Sequence, residues 1–331
     1  MKIFYRCIAL LAYFQIAASS AAVEPFDLKQ GDRVAFIGDA LIERDIQYNY
    51  LETLLSVRFH GRGVVFRNIG WSGDTVWGES RAVFGSPADG YKALLKMIGE
   101  VQPTVAFLNY GMNESFAGPD GLAHFEAGYN TLLDDLDKSA KGARVVLLSP
   151  IAFQFDEANP IMKGAKNNEN LKLYSDAIKK LAEKRGAQFV DLFAAFGGGS
   201  AIHKQAKLTT DGMHLNGAGY LFYAQSVLHE LVALDKLLFQ SSGSSGDYDP
   251  VASAAPVATG GALVKLRELI AAKNLQFFNR WRPQNETYIF LFRKQEQGRN
   301  AKDIPAFDPI IAAKEAEIAK LADEAAKQAG L

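Results

Sequence analysis

Between residues 31 and 238, short apolar runs alternate with longer stretches whose apolar residues recur every three or four positions. This alternation predicts strand–helix units around a parallel sheet. Strands are expected over 33–38, 63–69, 104–110, 143–149 and 187–192. Val105-Ala106-Phe107-Leu108 and Val145-Val146-Leu147-Leu148 have no polar position at all, as strands covered on both faces require. Helices are expected near 45–57, 122–139, 168–185 and 217–238. In the second, Phe125, Tyr129, Leu132, Leu133 and Leu136 mark one buried face. The fold class that follows is α/β: a three-layer sandwich with a mainly parallel five-stranded sheet, over about 26–238.

Two regions break this rhythm. Residues 239–261 are rich in Ser, Gly, Ala and Pro and predict a flexible linker or long loop. Residues 262–331 then form an extension expected to pack on the main domain. It comprises a short helix near 262–273, an aromatic-basic stretch at 277–293 and a charged helix near 308–328.

At the other end, residues 1–22 have the layout of a cleaved secretory signal peptide. Lys2 and Arg6 open it, Cys7 to Ala18 is apolar but shorter than the ~20 residues a membrane span needs, and Ser19-Ser20-Ala21-Ala22 offers small residues for cleavage. The expectation is a secreted or periplasmic protein with no membrane span after cleavage. Removing Lys2 and Arg6 lowers the basic count from 36 to 34 against 37 acidic residues, a formal −3. That charge argues against nucleic acid as a partner. The one cysteine, Cys7, leaves with the leader, so neither a disulfide nor a thiol nucleophile is expected.

Candidate chemistry clusters where strands end. Gly38-Asp39-Ala40-Leu41 follows the first strand. Asn68-Ile69-Gly70-Trp71-Ser72-Gly73-Asp74 follows the second, Gly111-Met112-Asn113-Glu114 the third, and Asp211-Gly212-Met213-His214 precedes the last helix. In an open parallel sheet these ends line one crevice, where ligands bind. Together the blocks, in this order, resemble those of the SGNH/GDSL hydrolases, which act on esters. The resemblance spans about 31–238 and implies His214 as base, Asp211 as its orienting carboxylate, and an oxyanion hole from Gly73 N–H, the Asn113 amide and the N–H of residue 40. No cofactor is implied. Two departures stand out: Glu114 replaces the usual Asp after Asn113, and Ala40 stands where the family carries its nucleophilic serine.

A methyl group cannot attack a carbonyl carbon. The resemblance therefore implies a serine esterase, inactive in this form; with the leader and the Trp-, Tyr- and Arg-rich candidate surfaces, the expectation is an exported enzyme that removes acetyl or similar acyl groups from carbohydrate. Lipase or small-ester hydrolysis stays open, as does a non-catalytic glycan-binding protein on the same scaffold. Because base and oxyanion donors persist around Ala40, an engineered or recent loss of the serine fits better than long drift. Asp39 is expected to support the site or cap the following helix. Trp71 and Trp77 fit either sugar stacking or core packing. Arg280, Trp281 and Arg282 fit either a packing surface or a flap touching substrate. No metal site is expected: no His/carboxylate cluster has ligand spacing, and Gly197-Gly198-Gly199 lacks the Lys and Ser/Thr of a phosphate loop.

Overall fold

The computed structural model describes residues 26–154, 164–198, 207–232, 261–296 and 299–331. The expected leader lies outside these, as do all but the last residue of the expected linker and the end of the helix expected to reach 238.

Five strands form one sheet: β1 (Arg33–Gly38), β2 (Val65–Asn68), β3 (Val105–Asn109), β4 (Arg144–Leu148) and β5 (Gln188–Val190). Their order is β2-β1-β3-β4-β5 and every pairing is parallel, with Phe36 opposite Asn68 on one side and Phe107 on the other. Side chains alternate between two cores, as the period of two in a strand demands. Val34, Phe36, Phe66, Phe107 and Val146 face one layer; Ala35, Ile37, Ala106, Leu108 and Leu147 face the other. Each fully buried Leu, Ile or Phe contributes about 1.5–3 kcal/mol of transfer free energy.

The expected helix at 45–57 is broken in the structure. α1 (Ala40–Arg44) passes into a 3-10 turn (Asp45–Gln47) before α2 (Tyr50–Arg58) begins. Asn49 sits between them at φ 58°, a left-handed conformation that Asn tolerates, and its amide donates to Ile46 O at 2.7 Å. α3 (Pro87–Val101) was not foreseen, although its signals are local. Pro87 occupies the first turn, and Asp89 Oδ2 accepts from both Ser86 N–H (3.0 Å) and Ser86 Oγ (2.7 Å). α3, α4 (Gly118–Ser139) and α5 (Gly164–Arg185) contribute Leu94, Ile98, Phe125, Leu132 and Ile178 to the second core. The short α6 (Leu192–Ala195) follows β5, and α7 (Gly217–Val232) joins α2 in the first core.

The extension also differs from expectation. α8 runs unbroken over Gly261–Trp281, so the first five residues of the aromatic-basic stretch are helical. Its apolar face continues through Leu266, Ile270 and Phe277, and Pro283 lies just beyond its end. After the short α9 (Glu286–Ile289), α10 (Phe307–Ala329) packs along α8, with Ile318, Ala322 and Ala326 buried. α8 packs on β2, one of the two edge strands, Glu315 of α10 pairs with Arg67 of that strand, and α8 and α2 are joined by a buried polar cluster. Lys273 Nζ lies 2.7 Å from Glu52 Oε1 and donates to Phe66 O of β2 at 3.1 Å. Asn274 Nδ2 donates to Asn49 Oδ1 (2.7 Å) and Glu52 Oε2 (2.8 Å). Engaging the carbonyl of an edge strand in this way removes a free pairing group. Among the described residues, no helix is long and apolar enough to cross a membrane.

Candidate active site

β1 turns sharply into α1 at Gly38-Asp39-Ala40. A Cβ at Gly38 would meet Asn109 O at 2.4 Å, so β1 and β3 approach this closely only with glycine there. Asp39 caps α1, its Oδ1 accepting from Leu41 N–H at 3.0 Å, and its Oδ2 finds no partner among the described residues although the side chain is buried. The N-terminal turn of α1 thus presents residue 40 at the carboxyl end of the sheet.

The loop after β2 carries Gly73 at φ +77°, a conformation that favours glycine. Ser80 Oγ donates to Gly73 O at 2.7 Å, and the neighbouring Asp74 forms a buried ion pair with Arg81 at 2.6 Å. After β3, Asn113 Nδ2 donates to Asp74 O at 2.6 Å, which ties the third block to the second. Glu114, the departure from the family pattern, strengthens that tie. Its Oε1 accepts from Val76 N–H (2.8 Å) and its Oε2 from Gly111 N–H (2.9 Å).

His214 reaches the same place from the loop before α7. Asp211 Oδ2 lies 2.6 Å from His214 Nδ1, while Asp211 Oδ1 accepts from Met213 N–H (3.0 Å) and His214 N–H (2.8 Å). The loop is itself held to the chain after β4: Gln154 N–H donates to Gly212 O (2.9 Å) and Leu208 N–H to Gln154 Oε1 (2.9 Å). One cavity of about 160 Å³ is lined by Asp39, Ala40, Gly73, Asn113 and His214 together. Its remaining walls include the apolar Met112, Pro150, Ile151, Met213 and Leu215.

A GDSL-like lipase/acylhydrolase family model matches residues 36–221. The chain belongs to the GDSL-like lipase/acylhydrolase family. Over 65 residues it is 42% identical to an isoamyl acetate-hydrolyzing esterase of Saccharomyces cerevisiae, covering 19% of this chain and 26% of that protein. The chain therefore spans about a quarter of that curated relative. In fold it is similar to a gut microbial diltiazem-metabolizing enzyme, with a TM-score of 0.61 at 13% identity over 90% of this chain and 96% of the other. An acetylxylan esterase from Geobacillus stearothermophilus aligns over 62% of this chain and 97% of its own, at 20% identity and a TM-score of 0.48.

Within a GDSL-like acylhydrolase these groups have defined chemical capacities. Partial burial pushes the Asp211 carboxyl upward, but the hydrogen bonds from the His214 ring, His214 N–H and Met213 N–H hold it down at about 2. Asp211 is therefore ionised at neutral pH, and the His214 tautomer assigned from that bond carries its proton on Nδ1. The Nε2 lone pair is left free to accept. Beneath the cavity, burial outweighs the hydrogen bonds. It raises Asp39 to about 8, helped by the charges of Glu114 and Asp74, and raises Glu114 to about 7. Asp74 is also raised by burial, despite Arg81.

The other sequence-selected residues lie elsewhere. Trp77 stacks on His124 (centroids 4.2 Å apart) and packs on Gly128 of α4. Arg280 pairs with Asp308 (2.5 Å) and Glu100 (3.6 Å) in a separate cleft lined by Arg33 and Val65, the first residues of β1 and β2. That is the opposite end of the sheet, so Arg280 does not line the crevice. Trp71, Trp281 and Arg282 form a cluster behind the Ser72-Gly73 loop. The Arg282 guanidinium lies over Trp71 and pairs with Glu43 (2.5 Å), whose second oxygen accepts from Ser72 N–H. Trp71 and Trp281 meet edge to face at 5.9 Å. Glu43, Arg81 and Glu114 were not singled out as site residues. Only Glu114 had a local signal, its place directly after Asn113. Among the described residues, no group of three or more His, Cys, Asp or Glu side chains could hold a metal ion.

Proposed function

We propose that this crevice receives a short acyl ester carried on a carbohydrate, that a serine at position 40 would cleave it, and that Ala40 closes the acyl-enzyme route in this chain. The observation that carries the proposal is the meeting of the His214–Asp211 pair, Gly73, Asn113 and residue 40 in one small cavity. Acyl transfer needs a base, an orienting acid and oxyanion donors around one point, and plain packing needs none of them. In the Ala40→Ser form, the hydroxyl would give its proton to His214 Nε2 as it attacks. The Gly73 N–H, the N–H of residue 40 and the second Asn113 amide hydrogen would take the developing oxyanion.

The small, largely apolar cavity supports a short acyl group, and the acetate ester named for the yeast relative agrees. The carbohydrate rests on the expected export of the chain to the periplasm or exterior. The test is turnover of aryl acetates and acetylated oligosaccharides by the Ala40→Ser form. If restoration yields no hydrolysis of any acyl ester, the esterase reading fails.

Ala40 itself favours a second reading, a glycan-binding protein that retains an esterase scaffold. It expects equal affinity for acetylated and deacetylated glycans, whereas a disabled esterase holds the acetylated form more tightly.

A further inference from the structure

The Asp211–His214 pair contributes little to holding the fold. Their side chains are 43% and 31% exposed, and an exposed pair of this kind contributes about 0–1 kcal/mol. What the pair does achieve is chemical: it fixes one ring nitrogen and leaves the other as a base at the wall that Ala40 shares. Nothing in that arrangement requires the proton donor to be a side chain. The cavity of about 160 Å³ has room for a short acyl group and for a water, whose share of liquid volume is about 30 Å³.

We propose that this chain, with its alanine, is a slow ester hydrolase in which His214 activates solvent water directly and no acyl-enzyme forms. This rests on the reading of the crevice as an acyl-ester site. In the step, a water oxygen beside the Ala40 methyl bonds to the acyl carbon while His214 Nε2 takes one of its protons. The carbonyl electron pair moves onto oxygen, where Gly73 N–H and the free Asn113 amide hydrogen receive it. Collapse breaks the bond to the alcohol oxygen, and the imidazolium returns its proton to that oxygen. One ester and one water give one carboxylic acid and one alcohol, with no change of oxidation state. Asp211 acts as a positioning residue throughout, holding the ring and stabilising its charged form.

The test compares four full-length proteins on 4-nitrophenyl acetate: the chain as it is, His214→Ala, Asp211→Asn and Ala40→Ser. The chain as it is should exceed the buffer rate by more than about 10³-fold, the level that oxyanion donors and binding alone sustain, with no initial burst, no acetyl adduct by mass spectrometry and a slower rate in heavy water. His214→Ala should lose about 10²-fold or more of that rate, the contribution of a positioned general base. Asp211→Asn, which keeps the shape of the loop, should also fall. A rate owed to the oxyanion donors alone would survive both substitutions and overturn the proposal. So would an acetyl adduct on His214, which would make the imidazole a nucleophile. If the chain runs at the buffer rate while Ala40→Ser turns over with a burst, direct hydrolysis is overturned and the esterase reading stands. If the chain turns over in the predicted manner and Ala40→Ser gains nothing, direct hydrolysis stands and the serine route falls. If neither turns over, both fall.

Discussion

The guanidinium carbon of Arg282 lies 3.6 Å from the centre of the Trp71 ring. These residues come from opposite parts of the chain: Trp71 from the loop after β2, Arg282 from the segment that ends α8. Arg282 Nη1 also meets Glu43 Oε1 at 2.5 Å, across 239 residues of sequence, and the same carboxylate accepts from Ser72 N–H. The extension beyond the family-matched residues 36–221 is thus fastened to the backbone that presents Gly73.

Replacing Arg282 by Ala removes a stacked cation and a charge-assisted hydrogen bond, and leaves Glu43 half-paired. A loss of about 1–3 kcal/mol is expected in chemical unfolding, with faster amide exchange at Ser72 and Gly73. Arg282→Lys should recover little, because an ammonium cannot lie flat on the indole while also bonding Glu43 in this geometry. Unchanged exchange at Ser72 would show that the loop holds itself.

Buried carboxyls give the fold a pH dependence whose sign is fixed. Asp39 and Asp45 are raised to about 8 and Glu114 to about 7, in each case chiefly by burial. Between an unfolded value near 4 and these folded values, the native state binds more protons than the unfolded chain. Stability contributed by these groups is therefore complete below about pH 4 and is lost as pH rises toward 8. Asp39→Asn keeps the acceptor for Leu41 N–H and removes one of the charges. It should flatten the fall in Tm between pH 5 and 8; a profile identical to that of the parent chain would contradict a neutral Asp39.

The strands were legible because parallel strands buried on both faces write uninterrupted apolar runs such as Val105–Leu108, and the candidate site was legible as far as it sits in short blocks at their ends. What escaped was set by contacts between distant residues. Nothing near Glu43 or Arg282 announces their pairing, and the break between α1 and α2 depends on Asn49, whose side-chain oxygen is engaged by Asn274 of α8. Glu114 could be noticed as a departure, but its use as a clasp between Val76 and Gly111 depends on how the loops after β2 and β3 meet. α3 is the exception, since its Ser86-Pro87-Ala88-Asp89 start was readable from sequence alone.

Lys273 and Glu52 offer a test of how firmly the extension belongs to the main domain. Both side chains are nearly inaccessible, and burial lowers the Lys273 pKa against the pull of Glu52. Lys273→Ala leaves the Glu52 charge buried with only Asn274, among the described residues, as a hydrogen-bond donor, and should cost about 3–5 kcal/mol. Replacing both residues by apolar ones, Lys273→Met with Glu52→Leu, should recover most of that loss, because the desolvation of both charges disappears together. Equal destabilisation by the single and double variants would mean that shape, and not charge, dominates this contact.

Asn113 separates an oxyanion donor from a loop tie, because its amide nitrogen carries two hydrogens and Asp74 O takes one of them at 2.6 Å. The other is free for an oxygen in the cavity that Asn113 lines. In the Ala40→Ser form, Asn113→Ala should lower kcat by about 10²–10³-fold, the usual effect of one oxyanion donor, while KM changes little. Asn113→Asp is the sharper probe. An ionised carboxylate has no hydrogen to offer either Asp74 O or an oxyanion, and its charge opposes the one that develops in the transition state. It should therefore be worse than alanine at neutral pH and recover as acid protonates it. If Asn113→Asp and Asn113→Ala lose the same rate at every pH, the amide serves the loop alone and the oxyanion must be held by backbone N–H groups.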